Sequence, residues 1–134
     1  MIHSLNIAGL SPIELDAKNM EYLEDFPRTP TKALSKLIAD RCKNQKELSF
    51  TSGLSESTIS RMCREKNFPY DIKQITRLVI GLKLPPALSA IFMELVGFSK
   101  AAMIRYYRYQ CIIDCLFMDD IETVVETHRE LFEK

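Results

Sequence analysis

Apolar residues recur along this chain at spacings of three and four, and no stretch alternates long enough to suggest a β-strand. Each periodic stretch opens on a capping residue or proline, and glycine or proline follows most of them. Ser11, Pro12 and Glu14 read as a capping box. They open a first helix with Ile13, Ala17 and Met20 on its apolar face, ending at "EDFPRTP". A second runs from Thr29-Pro30 to about Lys43, with Leu34, Leu37, Ile38 and Cys42 inward. Asn44, with Glu47 as its reciprocal partner, caps a short helix that stops at Gly53. Another begins after Ser55 and reaches about Arg64.

After the "EKNFPY" loop, Asp71 and Gln74 cap a helix whose Ile72, Ile75, Leu78, Val79 and Leu82 share a face. Gly81 and "LPP" are expected to end it. Pro86 opens the next, striped by Leu88, Ile91, Phe92, Leu95 and Val96, with Gly97 at its C′ position. Two helices follow. Ser99 caps "KAAMIRYYRYQCIIDCLF", and Asp119, with Glu122, caps "DIETVVETHRELF". The former has two apolar faces: Ile104, Tyr107, Cys111 and Cys115 on one, Tyr106, Tyr109, Ile113, Leu116 and Phe117 on the other. A helix apolar on two faces must be covered twice. The expected fold is therefore all-α: residues 1–28 as a helical extension, 29–98 as a five-helix bundle and 99–134 as a C-terminal helical hairpin.

At 134 residues and 46% apolar content the chain is long enough for one buried core. No window reaches the roughly 18 apolar residues of a membrane span. The start lacks the basic segment of a secretion signal. A cytoplasmic protein with Cys42, Cys63, Cys111 and Cys115 reduced is expected. The net charge is zero, but it is unevenly distributed. Residues 32–83 carry 11 Lys and Arg against 5 Asp and Glu, a surplus of 6 positive charges. The segments on either side each carry a net charge of −3. Such a concentration favours a polyanionic partner.

The basic segment contains "QKELSFTSGLSESTISRM", residues 45–62. Placed at 100° per residue, Ser57, Ser60, Arg61 and Arg64 share one helix face, with Glu56 at its edge. Ile59, Met62 and Cys63 share the other. Gly53 permits a sharp turn before that helix, Leu54 plugs the hinge, and small Ser49 lets the helices cross closely. Gln45 lies at a helix start, where free N–H groups favour a phosphate. A major groove admits a helix, and an Arg fork matches guanine O6 and N7.

This stretch resembles the helix-turn-helix of the Cro and lambda-repressor class, the Xre family. Gln45, Ser49, Gly53 and Ile59 stand at its glutamine, small-residue, glycine and branched-aliphatic positions. The resemblance covers about residues 30–97. It implies a lambda-repressor-like five-helix bundle that binds double-stranded DNA and regulates transcription. Gln45 would hold a phosphate. Ser55, Glu56, Ser57 and Arg61 would face the groove, and Asn44, Arg64 and Lys66 would flank the backbone. Ser60 shares the groove face. The chain departs from the family at Ser49, where alanine is usual, at Glu56, and at "CREK", where Asn-Gly is common.

Residues 99–132 are expected to form a homodimer contact, brace the bundle, or hold a protein partner as in an antitoxin. A protein-interaction hairpin without DNA binding is the competing reading. No catalytic constellation, cofactor motif or metal site is expected. Cys111, Cys115 and His128 read as packing residues rather than zinc ligands. Tyr106, Tyr107 and Tyr109 read as a helix contact rather than a platform for single strands.

Overall fold

The computed structural model describes Gly9 and residues 11–133, and every element among them is helical. The order is α1 (Pro12–Glu24), α2 (Pro30–Arg41), α3 (Gln45–Ser52), α4 (Glu56–Arg64), α5 (Ile72–Leu82) and α6 (Pro86–Leu95). Then come α7 (Lys100–Met103), a 3-10 turn (Ile104–Tyr106), α8 (Tyr107–Cys115), α9 (Ile121–Thr127) and α10 (Arg129–Phe132). No single helix among the described residues is long and apolar enough to cross a membrane.

Capping chemistry sets most of the starts. Full capping boxes form at Ser11 with Glu14 and at Asp71 with Gln74. Asn44 accepts from the Glu47 N–H, but the reciprocal bond expected from the Glu47 side chain is not part of this cap. The last cap lies one residue later than the sequence suggested, because the side chain of Asp120, not Asp119, accepts from Thr123 N–H.

The centre of the molecule is α5. Ile72, Ile75, Leu78, Val79 and Leu82 face the main core, which also holds Leu34, Leu37, Leu48, Ile59, Met62, Leu88 and Phe92. Ile80, on the other side, joins Ile112, Ile121, Val124, Leu131 and Phe132 in a second cluster. The helix covered on both sides is therefore α5. In the 100–117 segment, Ile113 and Ile112 are buried, while Ile104 and Tyr107 are 76% and 66% exposed and Cys111 and Cys115 are also exposed. The other expected face, Tyr106, Tyr109, Ile113, Leu116 and Phe117, is buried or half-buried, and a 3-10 turn interrupts the helix at residues 104–106. The final helix is likewise broken at His128, which has a non-helical backbone. Met103 and Ile113 tie the 100–117 segment to the main core, while α9 and α10 join the bundle through the second cluster on Ile80.

Helix α1 packs on the bundle through a different face from the one expected. Ile13 and Met20 are 83% and 67% exposed, whereas Tyr22 and Asn19 are buried. Tyr22 Oη donates to Asp40 at 2.7 Å, and Lys36 both pairs with Asp40 and sits over the Tyr22 ring. Burial and the neighbouring carboxylate push the Tyr22 phenol well above its ordinary range.

Gly81 does not end α5. It lies inside the helix, where α3 crosses: an added Cβ would come within 2.8 Å of Ser52 Cβ and 3.0 Å of Ser52 Cα. This close crossing joins α3 to α5 through Ser52 and Gly81. The end of α5 is held instead by Arg41, which donates to the carbonyls of Leu82 and Lys83 at 3.0 and 2.8 Å. Gly81→Ala should lose roughly 1–3 kcal/mol to overpacking, against a gain of about 1 kcal/mol in helix propensity. A lowered urea midpoint is expected; an unchanged or raised one would show that the two backbones are free to part.

Candidate nucleic-acid interface

Three local bonds shape the turn between α3 and α4. Gly53 takes φ 76°, and its N–H donates to Ser49 O at 3.0 Å. Ser49 Oγ donates to Leu54 O at 2.6 Å, and Leu54 N–H donates to Ser52 Oγ at 3.1 Å. The hydroxyls of Ser49 and Ser52 thus satisfy backbone groups that a bend would otherwise leave unpaired. Leu54 packs against the main core as expected.

Arg77 of α5 braces the same turn. Its Nη1 donates to Ser52 O at 3.2 Å, its guanidinium lies against Gly53, and it sits 5.3 Å from the Phe132 ring centroid. Burial lowers its pKa from the ordinary guanidinium value. The C-terminal cluster therefore supports the turn from behind.

Helix α4 is sharply two-sided. Ile59 and Met62 are fully buried and Cys63 half-buried, with the Cys63 thiol pushed up by burial. Glu56, Ser57, Arg61 and Arg64 are exposed and Ser60 is half-buried. The helix packs on α2 and α3, while α8 and α9 pack on α5, so the later helices leave the outer face of α4 open.

The expected site residues are not equivalent. Ser55 is the α4 N-cap: its Oγ accepts from Thr58 N–H at 3.1 Å and donates to Thr58 Oγ1 at 2.8 Å. That hydroxyl is committed to the helix start, with Ser57 Oγ 3.2 Å away. Asn44 is likewise committed to α3, its side chain accepting from Glu47 N–H at 2.9 Å. Gln45 stands half-buried in the first turn of α3, and Lys66 is exposed beyond α4. Arg64 Nε donates to Ser60 Oγ at 3.3 Å. Arg61 forms a forked pair with Glu65, Nε to Oε2 at 2.7 Å and Nη2 to Oε1 at 3.1 Å. The pair raises the Arg61 pKa and holds the Glu65 carboxyl below its usual range.

The chain also adds a basic residue that helical periodicity did not mark. Arg28, Thr29 and Thr31, at the start of α2, line one cleft of about 480 Å³ with Lys66, Asn67 and Phe68. Arg28 is the last residue of the expected N-terminal extension. Its place directly before a Thr-Pro helix start was the available signal. No family model, curated protein or solved structure matches this chain.

If the apolar underside alone secures α4, the two faces should respond differently to substitution. Ile59→Ala should lose roughly 2–5 kcal/mol, whereas Ser57→Ala should stay within about 0.5 kcal/mol. Chemical denaturation monitored by circular dichroism measures both; comparable losses would mean that the outer face has a structural duty.

Proposed function

We propose that the chain binds double-stranded DNA sequence-specifically through α3 and α4 and acts as a transcriptional regulator. The observation that carries this reading is the open outer face of α4, with Ser57, Arg61 and Arg64 exposed above a fully buried underside. A groove about 12 Å wide accepts a helix of this kind. Helices α2–α6 would form the lambda-repressor-like five-helix unit, with α1 and α7–α10 as additions. This arrangement follows from the sequence resemblance and agrees with the glycine turn at Gly53.

In this reading α4 enters the major groove. Arg61 and Arg64 supply cationic donors, Ser57 and Ser60 supply hydroxyls, and Glu56 accepts from a cytosine amino group. Asn44 and Gln45 at the start of α3 lie toward one phosphate strand, while Lys66 extends the basic surface beyond α4. The positive surplus of residues 32–83 supplies the non-specific attraction. The surface formed by α6 and α8 serves a second copy of the chain. Ile91, Ile104 and Tyr107 are exposed there along an apolar groove of about 850 Å³, with Glu94, Lys100 and Asp114 among its lining residues. A two-fold dimer would match half-sites about 34 Å apart.

Selection from a random duplex pool should enrich a palindromic site, with affinity falling by about 0.9 log units per contacted phosphate per tenfold salt. Arg61→Ala should cost roughly 1–3 kcal/mol at one position, while Lys66→Ala weakens all sequences alike. A pool that returns no enriched site would sink the reading in favour of a protein-interaction hairpin. For the dimer, sedimentation should show two copies in the native chain and one in Tyr107→Glu. A native chain that is monomeric at tens of micromolar would leave the groove to a different protein, as in an antitoxin.

A further inference from the structure

Arg61 and Arg64 lie on one helix face but are held very differently. Arg64 makes one side-chain bond, to Ser60 at 3.3 Å. Arg61 is fixed on two sides. Its Nε and Nη2 donate to the two oxygens of Glu65, and its guanidinium carbon lies 5.1 Å from the Phe68 ring centroid.

Both supports are anchored. Glu65 is the C-cap of α4, its N–H donating to Arg61 O at 2.7 Å. Phe68 N–H donates to Glu65 O at 3.3 Å, which folds the loop back under the guanidinium. The Phe68 ring meets Tyr70 edge-on at 5.0 Å, and Tyr70 meets the fully buried Phe92 at 6.0 Å and 90°. A line of rings therefore runs from the core to Arg61.

A guanidinium carries five N–H donors. Glu65 engages the edge made by Nε and one Nη2 hydrogen. The opposite end, one hydrogen from each of Nη1 and Nη2, is left to pair with the O6 and N7 of a guanine. We propose that Glu65 and Phe68 are positioning residues that hold Arg61 in one orientation as a guanine reader. A side chain held this way loses less rotamer freedom on binding than a free one. This proposal rests on the DNA-binding reading, within which it separates Arg61, the reader, from Arg64, a cation held by a single side-chain bond.

The test compares duplex selection for the native chain, Glu65→Gln and Phe68→Leu, with thermal melting to confirm that each folds. Gln keeps the shape but replaces one acceptor oxygen with an NH2 that opposes the guanidinium. The native chain should favour guanine at one position of each half-site, and both variants should flatten that preference by roughly tenfold while leaving the others unchanged. Two results overturn the proposal: a Glu65→Gln profile identical to the native one, or tighter binding to all sequences with preferences unchanged, which would make Glu65 an electrostatic brake. A native chain that selects no duplex removes the DNA-binding reading, and the proposal with it; a native chain that selects a site Glu65→Gln reads equally well removes the proposal alone.

Discussion

The close crossing of α3 over α5 at Ser52 and Gly81 is the constraint from which the rest of the arrangement follows. It lets Leu48 reach the main core and places the end of α3 within reach of Arg77. Arg77 then holds the carbonyl of Ser52 and lies against Gly53. The direction of α4 is set by that turn and by Ile59 and Met62 beneath it. A bulkier residue at Gly81 would push α3 away and loosen every later link in this series.

The same helix explains how a short element can be stiff. Nine residues of α4 would be marginal alone, since isolated helices of that length rarely persist in water. Here the underside is fixed by burial, the start by Ser55 and the turn by Arg77. Helices α8, α9 and α10 contribute from the far side of α5, with Ile112, Ile121 and Val124 packed in one cluster with Ile80, and Phe132 of α10 stacked on Arg77. They stabilise the element that presents α4 without lying over it.

The starts of α2 through α6 were legible in the sequence because caps and prolines act locally. Asn44, Ser55, Asp71 and Pro86 mark their helices without help from distant residues. What periodicity does not carry is the identity of the neighbour. Ile13 and Met20 are apolar and in step, yet exposed, because the α1 contact uses Tyr22 and Asn19. The two-faced pattern in residues 104–117 was real, but one face stays uncovered and a 3-10 turn interrupts the helix. The doubly covered helix was α5, where Ile80 and Gly81 looked like the end of an ordinary amphipathic stripe. At the candidate interface the outward row on α4 was legible from periodicity alone. The Arg61–Glu65 pair was also present, as an i, i+4 spacing, but such a spacing allows a pair without requiring a forked one. Arg28 was obscured because the cleft it lines with Lys66 is assembled across space rather than along the chain.

The unequal treatment of the two arginines bears on what a surface of this kind can distinguish. A cation held by a single bond attracts phosphate wherever it finds it, so it raises affinity for every sequence. A fixed fork pairs well only when its partner offers two acceptors at the matching spacing. Neither Arg61 nor Glu65 is buried, so their pair adds little to folding stability. Its effect lies in orientation, which the ring ladder from Phe92 through Tyr70 to Phe68 transmits from the core. Specificity on α4 would then depend on residues that never touch the nucleic acid, and the loop after the helix would matter as much as the helix itself.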